Sequence, residues 1–287
     1  MRFAAISDIH GNLAAIEAVF VDIDKLEEPV EMVVCTGDMV GHFAHPNEVL
    51  DLLAERKVEL LRGNYDEASV GVRSDSGVDF ISRRERDVDA AAVKWTREQL
   101  TEANFKLLRE MRQDARMHVT SSGRQATPLR ETKPGSDRSG VLMGMMFGSA
   151  LTRKTPRAIK PREILFVHGS PRDPIEYIYP DTAISLLEAM AQKARAEIVI
   201  HGHTHMTSES VGGRTAFIGV GSVGKSRAGG MAEYAIVDIV ESEIDVEFRP
   251  VSYDVEREIR DVEHAGLPRE LADVLRTGSF PQAASSI

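Results

Sequence analysis

Arg2-Phe3-Ala4-Ala5-Ile6-Ser7-Asp8-Ile9-His10-Gly11-Asn12 opens the chain, and its reading decides the fold. Residues 2–7 are short and apolar, the pattern of a buried strand. Gly11-Asn12 breaks the run. Leu13, Ile16, Val19, Phe20 and Ile23 then recur at helical spacing, with Asn12 as the N-cap. The unit repeats downstream. Residues 32–35 form a second buried strand, and Pro46 opens a helix carrying Val49, Leu50, Leu52 and Leu53. Residues 58–61 form a third strand. The order strand-helix-strand-helix-strand predicts an α/β fold with parallel strands and right-handed crossovers.

Further along, residues 79–112 read as helical and highly charged, with Thr101 capping the second half. Val119 marks a strand and 164–167 another. Asp181 is expected to cap a helix running to Ala194. Residues 197–201 are again apolar and strand-like. Residues 214–220, 234–240 and 244–251 read as strands joined by Gly-rich or acidic turns. Helices near 254–264 and 269–276, the second opened by Pro268, close the pattern. With no repeat and no clean linker, one domain spanning 1–287 is expected.

One segment interrupts it. Residues 121–162 carry nine basic and two acidic residues, a net +7 that leaves −17 for the remainder of a chain whose formal charge is −10. The segment surrounds a Met-rich stretch, Met143, Met145, Met146 and Phe147. Two expectations stand: a loop without a role, or a flap that recruits an anionic substrate.

Composition excludes several classes. The single cysteine, Cys35, excludes an intrachain disulfide framework and lies in an apolar run. The N-terminal apolar stretch is too short, and too broken by Asp8 and His10, for a signal peptide. No run approaches the ~20 apolar residues of a membrane span. The expected location is the cytoplasm. The acidic balance argues against general nucleic-acid affinity.

The chemistry lies at the ends of the strands. Asp8 and His10 follow the first strand, Asp38 the second (Thr36-Gly37-Asp38), and Asn64 the third (Gly63-Asn64-Tyr65-Asp66). His168 follows 164–167, and His203 and His205 follow 197–201. Carboxyl ends of strands are where open α/β sheets bind ligands. A lone Asp there is usually a turn residue, and a lone His is usually structural. Seven such residues at five strand ends form a set. Imidazole and carboxylate suit divalent metals such as manganese, iron, zinc or nickel. Seven donors suggest two ions sharing a carboxylate, and two ions ~3.5–4 Å apart can clamp both oxygens of a displacement at phosphorus. His203 and His205 would share a face if the backbone between them is extended.

A rival motif is present. Gly219-Val220-Gly221-Ser222-Val223-Gly224-Lys225-Ser226 matches the phosphate-binding loop of nucleotide triphosphatases. Its context fails, because Arg227-Ala228-Gly229-Gly230 is poor helix and a strand begins near Tyr234. A turn between antiparallel strands is expected there instead.

SDIHGN, TGD, RGNYD, VHGSP and HGHTH, in this order, resemble the motifs of the calcineurin-like metallophosphoesterases, in particular a compact bacterial branch related to diadenosine tetraphosphatases. The resemblance implies a four-layer α/β sandwich of two mixed sheets flanked by helices. It implies Asp8, His10 and His205 on one ion, Asn64, His168 and His203 on the other, and Asp38 bridging. It implies hydrolysis of a phosphate mono- or diester, or a nucleotide, by a hydroxide bridging the two ions. Asp38, Asn64, His203 and Arg172 are the expected catalytic contributors, with Arg172 offering a fork for phosphate oxygens or else an ion pair with Asp173 or Glu176. Two departures stand out. Tyr65 occupies the place of a His thought to protonate the leaving group, and is expected to line the site wall. Met39-Val40-Gly41-His42 replaces the Asp-Arg-Gly continuation of the protein-phosphatase branch. A catalytically weak, metal-bound scaffold of the same fold is the alternative.

Overall fold

In the computed structural model, which describes residues 1–119, 163–240 and 243–281, the opening stretch forms β1 (Arg2–Ile6). Alternate residues of β1 feed different cores, as the two-residue period of a strand requires. Phe3 and Ala5 point into a layer shared between two sheets, and Ala4 and Ile6 into a layer beneath helices. α1 (Leu13–Asp24) starts where the Asn12 side chain accepts the Ala15 amide at 3.0 Å. β2 (Met32–Cys35), α2 (Pro46–Glu55) and β3 (Glu59–Leu60) complete the repeat. β1, β2 and β3 run parallel. β3 is shorter than the apolar run 58–61, and α3 (Asn64–Ser69) follows almost at once, a short helix the sequence did not announce. The charged stretch divides into α4 (Arg83–Gln99) and α5 (Glu102–Glu110), with Thr101 accepting the Asn104 amide at 3.2 Å.

β4 (Asp114–His118) pairs antiparallel with β5 (Glu163–Val167), and β5 pairs parallel with β6 (Ile198–His201). The basic segment 121–162 lies outside the described residues. α6 (Ile184–Ala194) begins later than expected. Asp181 does not cap it, because a turn closed by the Thr182 amide on the Tyr179 carbonyl (3.0 Å) delays the helix, and Ala183 sits at its N-cap. β7 (Thr207–Gly212) is an edge strand whose polar Thr-Ser-Glu-Ser run hid it from an apolar-pattern reading. β8 (Thr215–Val220), β9 (Met231–Val240) and β10 (Glu243–Ser252) follow, then α7 (Val255–His264) and α8 (Glu270–Thr277).

The strands make two mixed five-stranded sheets, ordered β10-β9-β1-β2-β3 and β4-β5-β6-β8-β7. Phe3, Val34, Phe166, Ile200 and Ile218 fill the space between them. α1 and α2 cover the outer face of the first sheet, and α6 that of the second. The segment 221–230 is therefore not a hairpin turn. It carries the chain from β8 in one sheet to β9 in the other, where β9 pairs antiparallel with β1 and β10. No helix follows Lys225-Ser226, as a triphosphate loop would require. Among the described residues, no helix is long and apolar enough to cross a membrane.

Candidate metal centre

The loops that leave β1, β2, β3, β5 and β6 bring the seven predicted residues into two groups. Asp8, His10 and His205 form the first, with donor atoms within 4.8 Å of one another. Asp8 Oδ1 is 3.3 Å from His205 Nε2 and 3.9 Å from His10 Nε2, and those two nitrogens are 3.2 Å apart. His205 Nδ1 lies 2.9 Å from the Lys225 carbonyl. That bond places the N–H on Nδ1 and turns the Nε2 lone pair toward Asp8 and His10. Asp38, His168 and His203 form the second group. Asp38 Oδ2 is 3.2 Å from His168 Nε2, which is 2.8 Å from Asn64 Oδ1. The Asn64 amide donates to the Ser76 carbonyl at 2.8 Å, which aims its oxygen inward. His203 Nε2 is 3.1 Å from the Ile175 carbonyl, leaving Nδ1 for the centre.

The two carboxylates divide their oxygens in the same way. Asp8 Oδ2 accepts the His203 amide at 3.0 Å, and Asp38 Oδ1 accepts the Tyr65 amide at 2.8 Å. Asp8 Oδ1 and Asp38 Oδ2 are buried with no hydrogen-bond partner among the described residues. Buried carboxylate oxygens facing imidazole nitrogens and lacking donors are costly unless a cation joins them. The donor set therefore fits two divalent ions.

The backbone is bent to achieve this. Asp8, His10 and Asp38 have φ of 55°, His203 67° and His205 56°. Left-handed backbone in a non-Gly residue costs about 1–3 kcal/mol and concentrates at functional sites. The residue between His203 and His205 is not simply pointed away by an extended strand. Left-handed turns send the two histidines to different groups, so the expected alternation was the wrong geometry. Gly63 and Gly224 allow the loops to touch, since a Cβ on Gly63 would fall 2.1 Å from Asp38 Oδ1 and one on Gly224 1.8 Å from the Ile9 carbonyl.

Electrostatics follow burial and charge. Burial pushes His203 down to about 3, assisted by His168, and holds His10 well below its ordinary value. Burial alone would raise Asp8, but His205 keeps it below the usual carboxylate range. His168 moves the other way: burial would lower it, yet the charge of the Asp38 carboxylate 3.2 Å from its Nε2 raises it to about 9.

Other predicted residues fall into place around the centre. Tyr65 is buried and lines the wall of the adjoining cavity, and its hydroxyl donates to Asp89 Oδ1 at 2.5 Å. Ser76 donates to the other Asp89 oxygen at 2.9 Å. His42 is buried, with its ring 4.8 Å from that of His10. His201 is fully buried behind the centre, its Nδ1 3.2 Å from the Gly202 carbonyl. Arg172 is directed away: its guanidinium pairs with Glu176, and it does not line the cavity. Sequence reasoning missed Asp66, Asp89 and Lys225. Asp66 accepts the amides of Gly63, Asp38, Met39 and Val40 at 2.9–3.2 Å. Its signal was the three-residue spacing from Gly63, that of an acid at the third position of a helix. Asp89 had no local signal, because its role arises from distant packing; Lys225 stood out only in a motif whose context fails.

A cavity of about 1100 Å³ adjoins both groups. His203, His205, His42 and Tyr65 line it beside the donor groups, and Phe80, Phe280 and several charged residues complete its lining.

The family model for calcineurin-like phosphoesterases matches residues 1–207. An uncharacterized protein of Methanocaldococcus jannaschii is 25% identical over 293 aligned residues, covering 96% of this chain and 97% of that one. A metallophosphoesterase from Sphaerobacter thermophilus superimposes with a TM-score of 0.65 at 24% identity, over 97% of this chain and 99% of its own. A hypothetical protein from Pyrococcus horikoshii gives 0.70 at 22%, over 98% and 99%. At those identities the two structures speak to the fold alone. With the model matching 207 of 287 residues, including every position of the two donor groups, this chain belongs to the calcineurin-like phosphoesterase family.

Proposed function

We propose that the protein is a two-ion phosphoesterase that hydrolyses a phosphate mono- or diester of a small molecule or nucleotide. One observation carries the reading: Asp8 Oδ1 and Asp38 Oδ2, each buried and without a donor, face the imidazoles of His10, His205 and His168 at the inner end of a cavity. Asp8, His10 and His205 would hold one ion, Asn64, His168 and His203 the other, and Asp38 both. Such ions, manganese, iron, zinc or nickel, supply Lewis acidity toward phosphoryl oxygens and a water made acidic enough to act near neutral pH. The chain supplies the rest. The carbonyls of Lys225 and Ile175 fix the tautomers of His205 and His203. Ser76 fixes the amide of Asn64, whose N–H is thereby engaged and whose oxygen is the working atom. The cavity, which Tyr65, Tyr177 and Tyr179 line among charged residues, takes the organic part of the ester. Arg172 has no part in this proposal. A cytoplasmic, one-domain protein is part of it, resting on the single cysteine and the shared layer between the sheets.

The test is to load the protein with manganese, count the ions by elemental analysis, and assay aryl phosphate mono- and diesters with and without a chelator. Chelator-sensitive hydrolysis of either class is the expected result. Protein carrying two ions that hydrolyses neither class refutes the proposal.

A further inference from the structure

The loop that resembled a triphosphate motif still places two cations on the cavity wall. Lys225 and Arg227 both line the cavity together with His203, His205, Tyr177 and Tyr179. Lys225 Nζ donates to His42 Nε2 at 2.7 Å, a neutral partner that orients the ammonium without balancing its charge. Arg227 Nε donates to the Thr204 carbonyl at 2.9 Å, and its guanidinium lies 6.0 Å over the Tyr179 ring. Neither reaches a carboxylate within 4.0 Å among the described residues. The other cavity cations differ: Arg84 is paired with Glu270, Arg276 with Glu256, and Arg269 is exposed. In a chain with ten more acids than bases, two cations on one wall without a carboxylate in contact leave room for an anion brought by a ligand.

Their distance from the centre says which anion. The partner of Lys225, His42, lies with its ring tilted, 4.8 Å from that of His10. Arg227 is connected to His203 through two rings, Tyr179 on Tyr177 at 5.1 Å and Tyr177 on His203 at 4.1 Å. Both cations are thus one or two side chains removed from the donor groups. They are placed for something beyond the phosphoryl group under attack. Resting on the two-ion reading, we infer that Lys225 and Arg227 form a subsite for a second anionic group, such as a phosphate, carried on the leaving portion of the substrate. The Lys225 carbonyl holds His205 while its side chain serves this subsite, so one residue joins the centre to the specificity wall.

The experiment uses manganese-loaded protein and two non-hydrolysable probes, benzylphosphonate and its para-phosphonomethyl derivative, with affinities measured calorimetrically. The bisphosphonate should bind the wild type about 10- to 100-fold more tightly, the range for gaining a charged hydrogen bond. That ratio should fall toward one in the double variant Lys225→Met/Arg227→Gln, persist in Lys225→Arg, and shrink with added salt. A residue with only a structural role would weaken both probes together and leave the ratio unchanged. A ratio near one in the wild type, or one kept by the double variant, overturns the subsite while leaving the two-ion centre standing. Failure of both probes to bind the loaded protein overturns the two readings together.

Discussion

The carboxylate of Asp66 accepts the backbone amide of Asp38 at 2.9 Å, so the residue proposed to join both ions is held from behind by an acid twenty-eight positions later in the chain. The same carboxylate takes the amides of Met39, Val40 and Gly63, tying the loop after β2 to the loop after β3.

We expect Asp66→Ala to strand four buried amides. Each unsatisfied buried donor costs about 1–3 kcal/mol, so several kcal/mol of stability should be lost, along with metal affinity. Denaturant unfolding with and without manganese checks this. A variant of wild-type stability and metal content would show that the amides find other partners.

Asp38→Asn should lower the occupancy of both ions, whereas His205→Ala should mainly empty one. Elemental analysis of both variants, prepared in parallel, separates the cases. Two ions retained in Asp38→Asn would remove Asp38 from the bridging position.

Tyr65→Phe deletes the hydroxyl bonded to Asp89 and leaves that buried acid with Ser76. The expected loss is about 1–3 kcal/mol of stability, with turnover on esters of good leaving groups little altered. In a cycle with Asp89→Asn the two losses should fall short of additive, as for any pair in contact. Full additivity would mean the hydroxyl and the carboxylate do not interact.

Glu258 provides a pH signature away from the centre. It is fully buried beside His45 and Asp261, and burial raises its carboxyl to about 7 from the ordinary 4.5. A raised carboxyl means the folded state keeps a proton that the unfolded chain has released. Stability from this group therefore falls as pH rises from about 4.5 to about 7, by on the order of 3 kcal/mol. Glu258→Gln should be more stable than the wild type at pH 8, with that advantage largely gone at pH 4.5. Denaturation midpoints of both proteins at the two pH values decide it. An equal difference at both would assign the effect to packing rather than charge.

Much of this was legible because it is local. The apolar runs 2–7 and 32–35, the caps Asn12 and Thr101, and Pro46 each act within a few residues, and each element formed where expected. The grouping of the seven residues was legible as a pattern of strand ends. What failed depended on partners that the apolar pattern does not show. β7 is polar and exists because β8 offers an edge, and Asp181 lost its cap to a turn. The glycines of 219–226 mimicked a triphosphate loop, yet Gly224 is required by the approach of the Ile9 carbonyl, and its own amide donates to the Asp8 carbonyl at 2.9 Å. Arg172 carried two readings, a fork for phosphate oxygens and an ion pair with Asp173 or Glu176, and its guanidinium pairs with Glu176.

The left-handed backbone at Asp8, His10, Asp38, His203 and His205 bears on how portable such a centre is. These side chains reach their places only because the main chain beneath them adopts a conformation it would ordinarily avoid. A designer who copied the seven donors onto strand ends of regular geometry would reproduce the residue types and none of the directions. The transplantable unit is the set of loops, together with the Asp66 clamp and the Gly63 and Gly224 contacts that keep them bent. By the same logic, His10→Gly should relax the backbone and make the metal-free protein harder to unfold, read from denaturant midpoints, even as it disables the centre.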